Sequence, residues 1–303
     1  MVGKQSRHWQ SLQSDIKAYA FILPYAFFFL VFILIPLVYG FALSFYSWDL
    51  FTAPEYVGLD NYEKLLFDDS RFWVATKNTL IFVVESVPLL IIVPLAFALI
   101  LNRPFWGRTW AFIAFISVSF MPSVAIIWMW RWMFDYHSGL VNFYLGDLGL
   151  PLQNWLSHPN LAMVLVVIIT TWWTSGFNTI LFLSGLQDIP SELYEAAQVD
   201  GGSRLAQFRY ITVPMLRDKI VLIGALTIMA SFKMFDQVYL LTAGGPMGRT
   251  RSLSMYLYES GFRDFKIGKA SAISWLMFAM MMVIFAFRVA ANWRSTRESR
   301  QIT

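Results

Sequence analysis

Residues Ser191–Asp218 read SELYEAAQVDGGSRLAQFRYITVPMLRD, and they lie between two long apolar stretches, Leu161–Leu186 and Ile220–Leu241. Leu193, Ala196 and Ala197 recur at i, i+3 and i+4, which makes one narrow, small-residue face of a short helix running to about Asp200. Ser191 or Asp188 can cap its start. Gly201-Gly202 stops it, because glycine takes left-handed backbone at little cost. Ser203 can cap a second turn of helix, and Pro214 ends the segment. The helix is charged, with Glu192 and Glu195, and carries alanines where a lipid-surface helix needs large apolar side chains. It suits close docking in a groove of a soluble partner; a solvated connecting loop is the other reading of the same residues.

The flanks decide the class. The chain has 303 residues, of which 57% are hydrophobic, 18% aromatic and 14% charged. Globular chains carry about 25% charged residues, so a soluble core cannot hide this much apolar surface. The composition excludes a disordered chain, and the net charge of +4 is too small for a nucleic-acid footprint. Without cysteine there is no thiol catalysis, thiolate metal site or disulfide. A bilayer core of about 30 Å needs roughly 20 apolar residues per helical crossing. Six stretches qualify: Tyr19–Tyr46, Thr79–Leu101, Thr109–Phe134, Leu161–Leu186, Ile220–Leu241 and Ala270–Ala291. The first is too long for a signal-peptide core and lacks a small-residue cleavage site, so it reads as a retained helix.

Six crossings place both termini on one side. With the termini inside, thirteen Lys and Arg fall on inner segments and nine on outer ones, a bias toward cytoplasmic termini. The predicted organisation is an all-α chain with a cytoplasmic segment at 1–18, a six-helix transmembrane domain at 19–291 and a cytoplasmic tail at 292–303. The Gln187–Lys219 segment is its longest inner loop.

That loop resembles a known signature. Glu195-Ala196-Ala197, then Gly201, Ile211 and Val213-Pro214, is similar to the EAA signature of binding-protein-dependent ABC permeases, with Val213 where the family commonly has Leu. Leu241-Thr242-Ala243-Gly244-Gly245-Pro246, Thr250, Tyr256-Leu257-Tyr258 and Gly261-Phe262 look like the carbohydrate-uptake branch, with Gly261 in place of the common Ala. Leu23-Pro24, Pro36, Ser44-Phe45, Trp48, Val57-Gly58-Leu59-Asp60-Asn61-Tyr62, Phe72-Trp73 and Asn78-Thr79 resemble the same branch, of the maltose, lactose and glycerol-phosphate type. The resemblance implies a type I ABC importer permease in a bacterial plasma membrane. It implies a second homologous permease, two cytoplasmic ATPase subunits and an external solute-binding protein as partners. Glu195, Ala196, Ala197, Asp200 and Gly201 would then couple to the ATPase. No cofactor would be held by this chain, because ATP and Mg would sit on the ATPase.

The sequence contains no G-x-x-x-x-G-K-[ST] loop, no H-E-x-x-H and no G-x-S-x-G elbow, so no catalytic or metal site is expected in it. Its candidates lie in the spans. Lys233 and Asp236 are three apart and can pair on one helix face, lining a solute path or only packing. Glu85 is a second intramembrane acid. Trp172, Trp173, Thr174, Phe177 and Asn178 mix flat apolar faces with polar groups, as sugar binding requires. Gly176 permits a kink or a close approach. Thr227, Ser231 and Met234 share one side of the fifth stretch. Matching to the larger maltose-type permease puts Thr174, Phe177, Thr227, Ser231 and Met234 at sugar-lining positions. Trp128, Trp130 and Trp132 read as an interfacial belt. Pro88, Pro94 and Pro122 interrupt spans and mark either cavity linings or structural kinks. The alternative function is a proton-coupled secondary transporter using Glu85 or the Lys233/Asp236 pair.

Overall fold

The computed structural model describes residues 22–300, with side chains over 22–286. The expected N-terminal segment and the first residues of the Tyr19–Tyr46 span lie outside the described residues, as do the side chains of the expected tail. The chain forms two compact units.

The first unit holds residues 22–65 with Ser260–Trp275. Its helix α1, Ile22–Leu43, opens into a wide π-type turn at Leu30–Leu34 just ahead of Pro36, whose ring nitrogen cannot donate to the turn before it. None of the α1 residues is buried. The helix stops at Leu43, short of the expected Tyr46, because Tyr46–Ser47 pairs antiparallel with Glu55–Tyr56 in register Tyr46 to Tyr56. The Gly-Leu-Asp-Asn-Tyr stretch staples this corner. Asn61 Nδ2 donates to the carbonyls of Ser44 and Tyr46, both at 2.9 Å, and the Tyr62 hydroxyl donates to Ser44 Oγ at 2.7 Å. A Cβ on Gly268 would fall 1.7 Å from the Tyr46 carbonyl oxygen, so only glycine lets that backbone pass.

The second unit holds residues 66–259 with the chain from Leu276 onward. Helix α2 spans Ser70–Leu101. It starts at Ser70, not at Thr79, because Asp69 Oδ1 accepts from the Arg71 and Phe72 amides and caps polar turns that an apolar window misses. Helix α3, Arg108–Ser119, and α4, Ser123–Met133, meet at a 96° bend. The stretch expected to cross at Thr109–Phe134 is thus a bent pair, interrupted at Pro122. Pro122 lacks an amide hydrogen and pushes Met121 out of helical backbone, and α4 restarts after it.

Helix α5, Leu161–Gln187, lies against both α2 and α3, and a short helix α6 follows at Ser191–Val199. Helix α7, Arg217–Phe232, stops early, and α8 resumes at Asp236–Leu241. Sixteen residues make about 24 Å of helix, less than the bilayer core, so the fifth expected crossing is a broken element. The last helix, α9, runs Ile267–Arg300. Among the described residues, four helices are long and apolar enough to cross a membrane: α1, α2, α5 and Ile267–Ala286 of α9; the bent α3–α4 pair, counted as one span, makes five.

Lipid tails are as apolar as leucine, so helices associate in a bilayer through close packing and hydrogen bonds. Both are visible here. A Cβ on Gly176 would sit 2.4 Å from Ser119 Oγ, so the glycine permits a close approach of α3 to α5, and Ser119 Oγ donates to the Trp173 carbonyl at 2.8 Å. Pro94 leaves the Leu90 carbonyl without its helical donor, and Asn178 Nδ2 of α5 fills the vacancy at 2.9 Å. Pro88 and Pro94 thus stay within a continuous α2. The apolar core has two parts, one around Phe82, Ile127, Val166 and Val238, the other around Ala98, Phe182, Leu186 and Leu216.

Candidate solute cavity and coupling surface

The break between α7 and α8 is held by side chains from the following loop. Ser254 Oγ donates to the Phe232 carbonyl at 3.2 Å and Ser252 Oγ to the Met234 carbonyl at 2.7 Å, so carbonyls released by the break stay satisfied. The break also corrects the expected Lys233–Asp236 pair. Lys233 lies past the end of α7 and is exposed, and among the described residues no ion pair joins it to Asp236. Asp236 Oδ2 accepts from Ser123 Oγ at 2.7 Å, and Arg131 Nη1 donates to the Leu240 carbonyl at 2.8 Å. The restart of α4 and the restart of α8 are thereby tied together.

A cavity of about 220 Å³ lies between α2, α5 and α7. Six of the sequence candidates line it: Thr174, Phe177, Asn178, Thr227, Ser231 and Met234. Asn178 Nδ2 reaches Thr227 Oγ1 at 3.3 Å, and Ser231 Oγ lies 3.2 Å from Ser86 Oγ. The wall also takes Phe82, Leu90, Thr170, Leu226, Ala230 and Gln237, which the sequence reading missed. Thr170 stands one turn before Thr174, and Gln237 is a polar residue in an apolar stretch; both signals were present. The Thr170 hydroxyl is buried and has no hydrogen-bond partner among the described residues.

Trp172, Trp173, Lys233 and Asp236 are not among the lining residues. Trp172 packs edge-on against Trp130 at 5.2 Å, and Trp173 Nε1 is buried with no hydrogen-bond partner among the described residues. Trp130 is stacked on Phe134 and half-buried, while Trp128 and Trp132 are exposed. Glu85 is exposed on α2, on the side away from the buried Phe82, Ser86 and Leu90.

The α6 loop is a short helix closed at both ends. Pro190, and not Ser191 or Asp188, stands at its N-cap; Asp188 ends α5 and pairs with Lys219 at 3.5 Å. At the other end the Gly202 amide donates to the Ala197 carbonyl at 2.7 Å and the Gly201 amide to the Gln198 carbonyl at 3.1 Å. Those two bonds with Gly201 at φ +76 make a Schellman stop. Ser203 Oγ accepts from the Ala206 amide at 3.2 Å. Tyr194 bonds Thr212 at 2.9 Å and holds α6 down on its return strand of chain. Glu195, Ala196, Asp200 and Gly201 remain exposed, Ala197 is half-buried, and apolar Val199 is 88% exposed.

The Gly-Gly-Pro loop is likewise cross-tied: Thr250, fully buried, bonds Thr242 and the Gly245 carbonyl, each at 2.7 Å, and Asn78 Nδ2 takes the Gly248 carbonyl at 2.7 Å.

Residues 70–294 match the family model described as binding-protein-dependent transport system inner membrane component. The chain belongs to that family. It is a multi-pass membrane component of transport systems. Among curated relatives, the trehalose/maltose transport system permease protein MalF of Thermococcus litoralis is 38% identical over 267 residues, covering 87% of this chain and 89% of its own. The arabinooligosaccharides transport system permease protein AraP of Bacillus subtilis is 33% identical over 289 residues, covering 93% and 90%. A bacterial alginate ABC transporter, solved in complex with an alginate pentasaccharide-bound periplasmic protein, has a chain that superposes with a TM-score of 0.85 at 25% identity, covering 96% of this chain and 98% of that one. The fold is that of a type I ABC importer permease.

Proposed function

We propose that the protein is the permease subunit of an ATP-driven importer that moves a di- or oligosaccharide, or a related polyhydroxylated solute, into the cell. It pairs with a second, similar permease. The pair binds two ATPase subunits from the cytoplasm, where both termini lie, one of them docking on the α6 loop of this chain, and an external solute-binding protein delivers the cargo. ATP and Mg reside on the ATPase subunits, and this chain performs no bond chemistry.

The observation that carries the reading is the α6 loop: a firmly stopped helix on which Glu195, Ala196 and Val199 stand exposed and Ala197 is half-buried. A large apolar side chain is left uncovered there at a site shaped for a groove. The cavity supports the cargo class. Phe177 offers a flat face, and Thr170, Thr174, Asn178, Thr227 and Ser231 offer hydroxyl and amide groups suited to sugar hydroxyls. Relatives named for maltose, trehalose and arabinooligosaccharide transport agree with it. Against the proton-coupled alternative, the Lys233–Asp236 pair does not form among the described residues, which leaves Glu85.

Reconstituted with its co-purifying subunits in liposomes, the protein should accumulate labelled oligosaccharide only with ATP inside the nucleotide-accessible compartment. Uptake that follows an imposed proton gradient without ATP would overturn the proposal.

A further inference from the structure

The connection between α2 and α3 reads Asn102-Arg103-Pro104-Phe105-Trp106-Gly107, and α3 opens with Arg108, Thr109 and Trp110. Trp106 is 99% exposed and Trp110 77%. Uncovered indoles beside arginines at the end of apolar helices belong at a membrane–water interface, where the ring meets lipid and the N–H meets headgroups.

Next to them lies a hollow of about 400 Å³ between the start of α3 and the end of α5. It shares no residue with the solute cavity. Its wall is graded. Arg108, Thr109, Ser184 and Gln187 sit in the terminal turns of the two helices, at the end that faces the α6 loop. Phe112, Ile180 and Leu183 lie a turn or two farther along. Arg108 is half-buried, and among the described residues no carboxylate pairs with it. The acid at that end of α5, Asp188, is taken by Lys219.

We propose that this hollow holds an anionic phospholipid. The phosphate rests against the Arg108 guanidinium, whose planar fork suits two phosphate oxygens, and accepts from the Thr109 and Ser184 hydroxyls or the Gln187 amide. An acyl chain runs along Phe112, Ile180 and Leu183. Free phosphate has no use for that apolar floor. A zwitterionic headgroup brings its own cation and gains less from Arg108. One arginine at a charged membrane surface contributes roughly 1 kcal/mol, equivalent to about a five-fold preference for the anionic lipid.

The test is native mass spectrometry of the intact protein with its co-purifying subunits, equilibrated with equal amounts of phosphatidylglycerol and phosphatidylcholine. Phosphatidylglycerol should be retained about five-fold over phosphatidylcholine. Arg108→Gln should abolish the preference, and Arg263→Gln, at an exposed arginine outside the hollow, should keep it. Equal retention of both lipids by the unmodified protein, or a preference that survives Arg108→Gln, would overturn the proposal. Displacement of the lipid by excess inorganic phosphate would overturn it in favour of a free-phosphate site. No arm involves ATP or cargo, so the result is independent of the transport reading.

Discussion

Replacing Gly201 by valine perturbs one backbone angle and little else. The residue sits at φ +76, and a Cβ there meets nothing within 4 Å. The cost is therefore conformational, about 1–2 kcal/mol for an L-residue held left-handed, and higher for a β-branched one. Relief requires undoing the Schellman stop, whose two amide–carbonyl bonds contribute about 0.5–1.5 kcal/mol each. The strain and the stop are of the same size, so the frayed loop rises by roughly ten-fold for each 1.4 kcal/mol. Asparagine tolerates this backbone region, and Gly201→Asn should behave nearly as the native chain. Gly202→Ala is a contrasting case: its Cβ would fall 2.7 Å from the Ala197 carbonyl, on the accepting atom of the stop itself.

The assay compares ATP-driven uptake with ATP hydrolysis and with ATPase retention in the purified complex. Uptake per hydrolysed ATP should fall in the order Gly201→Asn, Gly201→Ala, Gly201→Val, with membrane insertion unchanged. Equal coupling in the Asn and Val variants would refute the reasoning. So would a loss of uptake that only follows lost protein or lost ATPase docking.

Three further outcomes follow from other parts of the chain. Asn178→Leu keeps the volume but strips the Leu90 carbonyl, orphaned by Pro94, of its donor; thermal unfolding in detergent should show a loss of about 1–3 kcal/mol, which Asn178→Gln should not fully restore. Gly268→Ala forces a carbon to within 1.7 Å of the Tyr46 carbonyl, and an overpacking cost of about 1–3 kcal/mol should lower the yield of folded protein; an unchanged melting temperature would argue against the tight passage. The Asp49 carboxyl, outside the spans, is held below its usual 3.8 first by the Thr52 hydroxyl and then by the Thr52 amide. A depressed carboxylate contributes stability above its unfolded value and loses it as pH falls through the folded one, so the protection of the Thr52 amide, its exchange rate relative to the intrinsic rate at each pH, should hold above pH 3.8 and fall only below it.

Much of this architecture was legible because a bilayer demands long apolar runs. The fourth stretch was read as Leu161–Leu186 and forms Leu161–Gln187. The early start of α2 was hidden, since capped polar turns leave no apolar signal. Pro122 announced an interruption but not its 96° angle, which depends on what α4 packs against. The break at Lys233–Phe235 has no proline or glycine to mark it. It is sustained by hydroxyls 18 and 22 residues farther along, a long-range debt that periodicity cannot see. The same break removed Lys233 and Asp236 from one helix face. Thr174, Asn178, Thr227 and Ser231 were found because polar groups in apolar spans are conspicuous; Phe82, Leu90 and Ala230 look like ordinary helix filler until three helices converge on them.

The chain has no cysteine, so a single one placed at Val199 reports without background. Val199 stands at the end of α6 and is 88% exposed. Bifunctional thiol–amine cross-linking of the Val199→Cys protein in native membranes should yield one dominant adduct with a nucleotide-binding ATPase subunit, and ATP trapping should change its yield. Adducts confined to a second copy of this chain or to lipid would contradict the central claim that the α6 loop is where ATP-driven motion enters the permease.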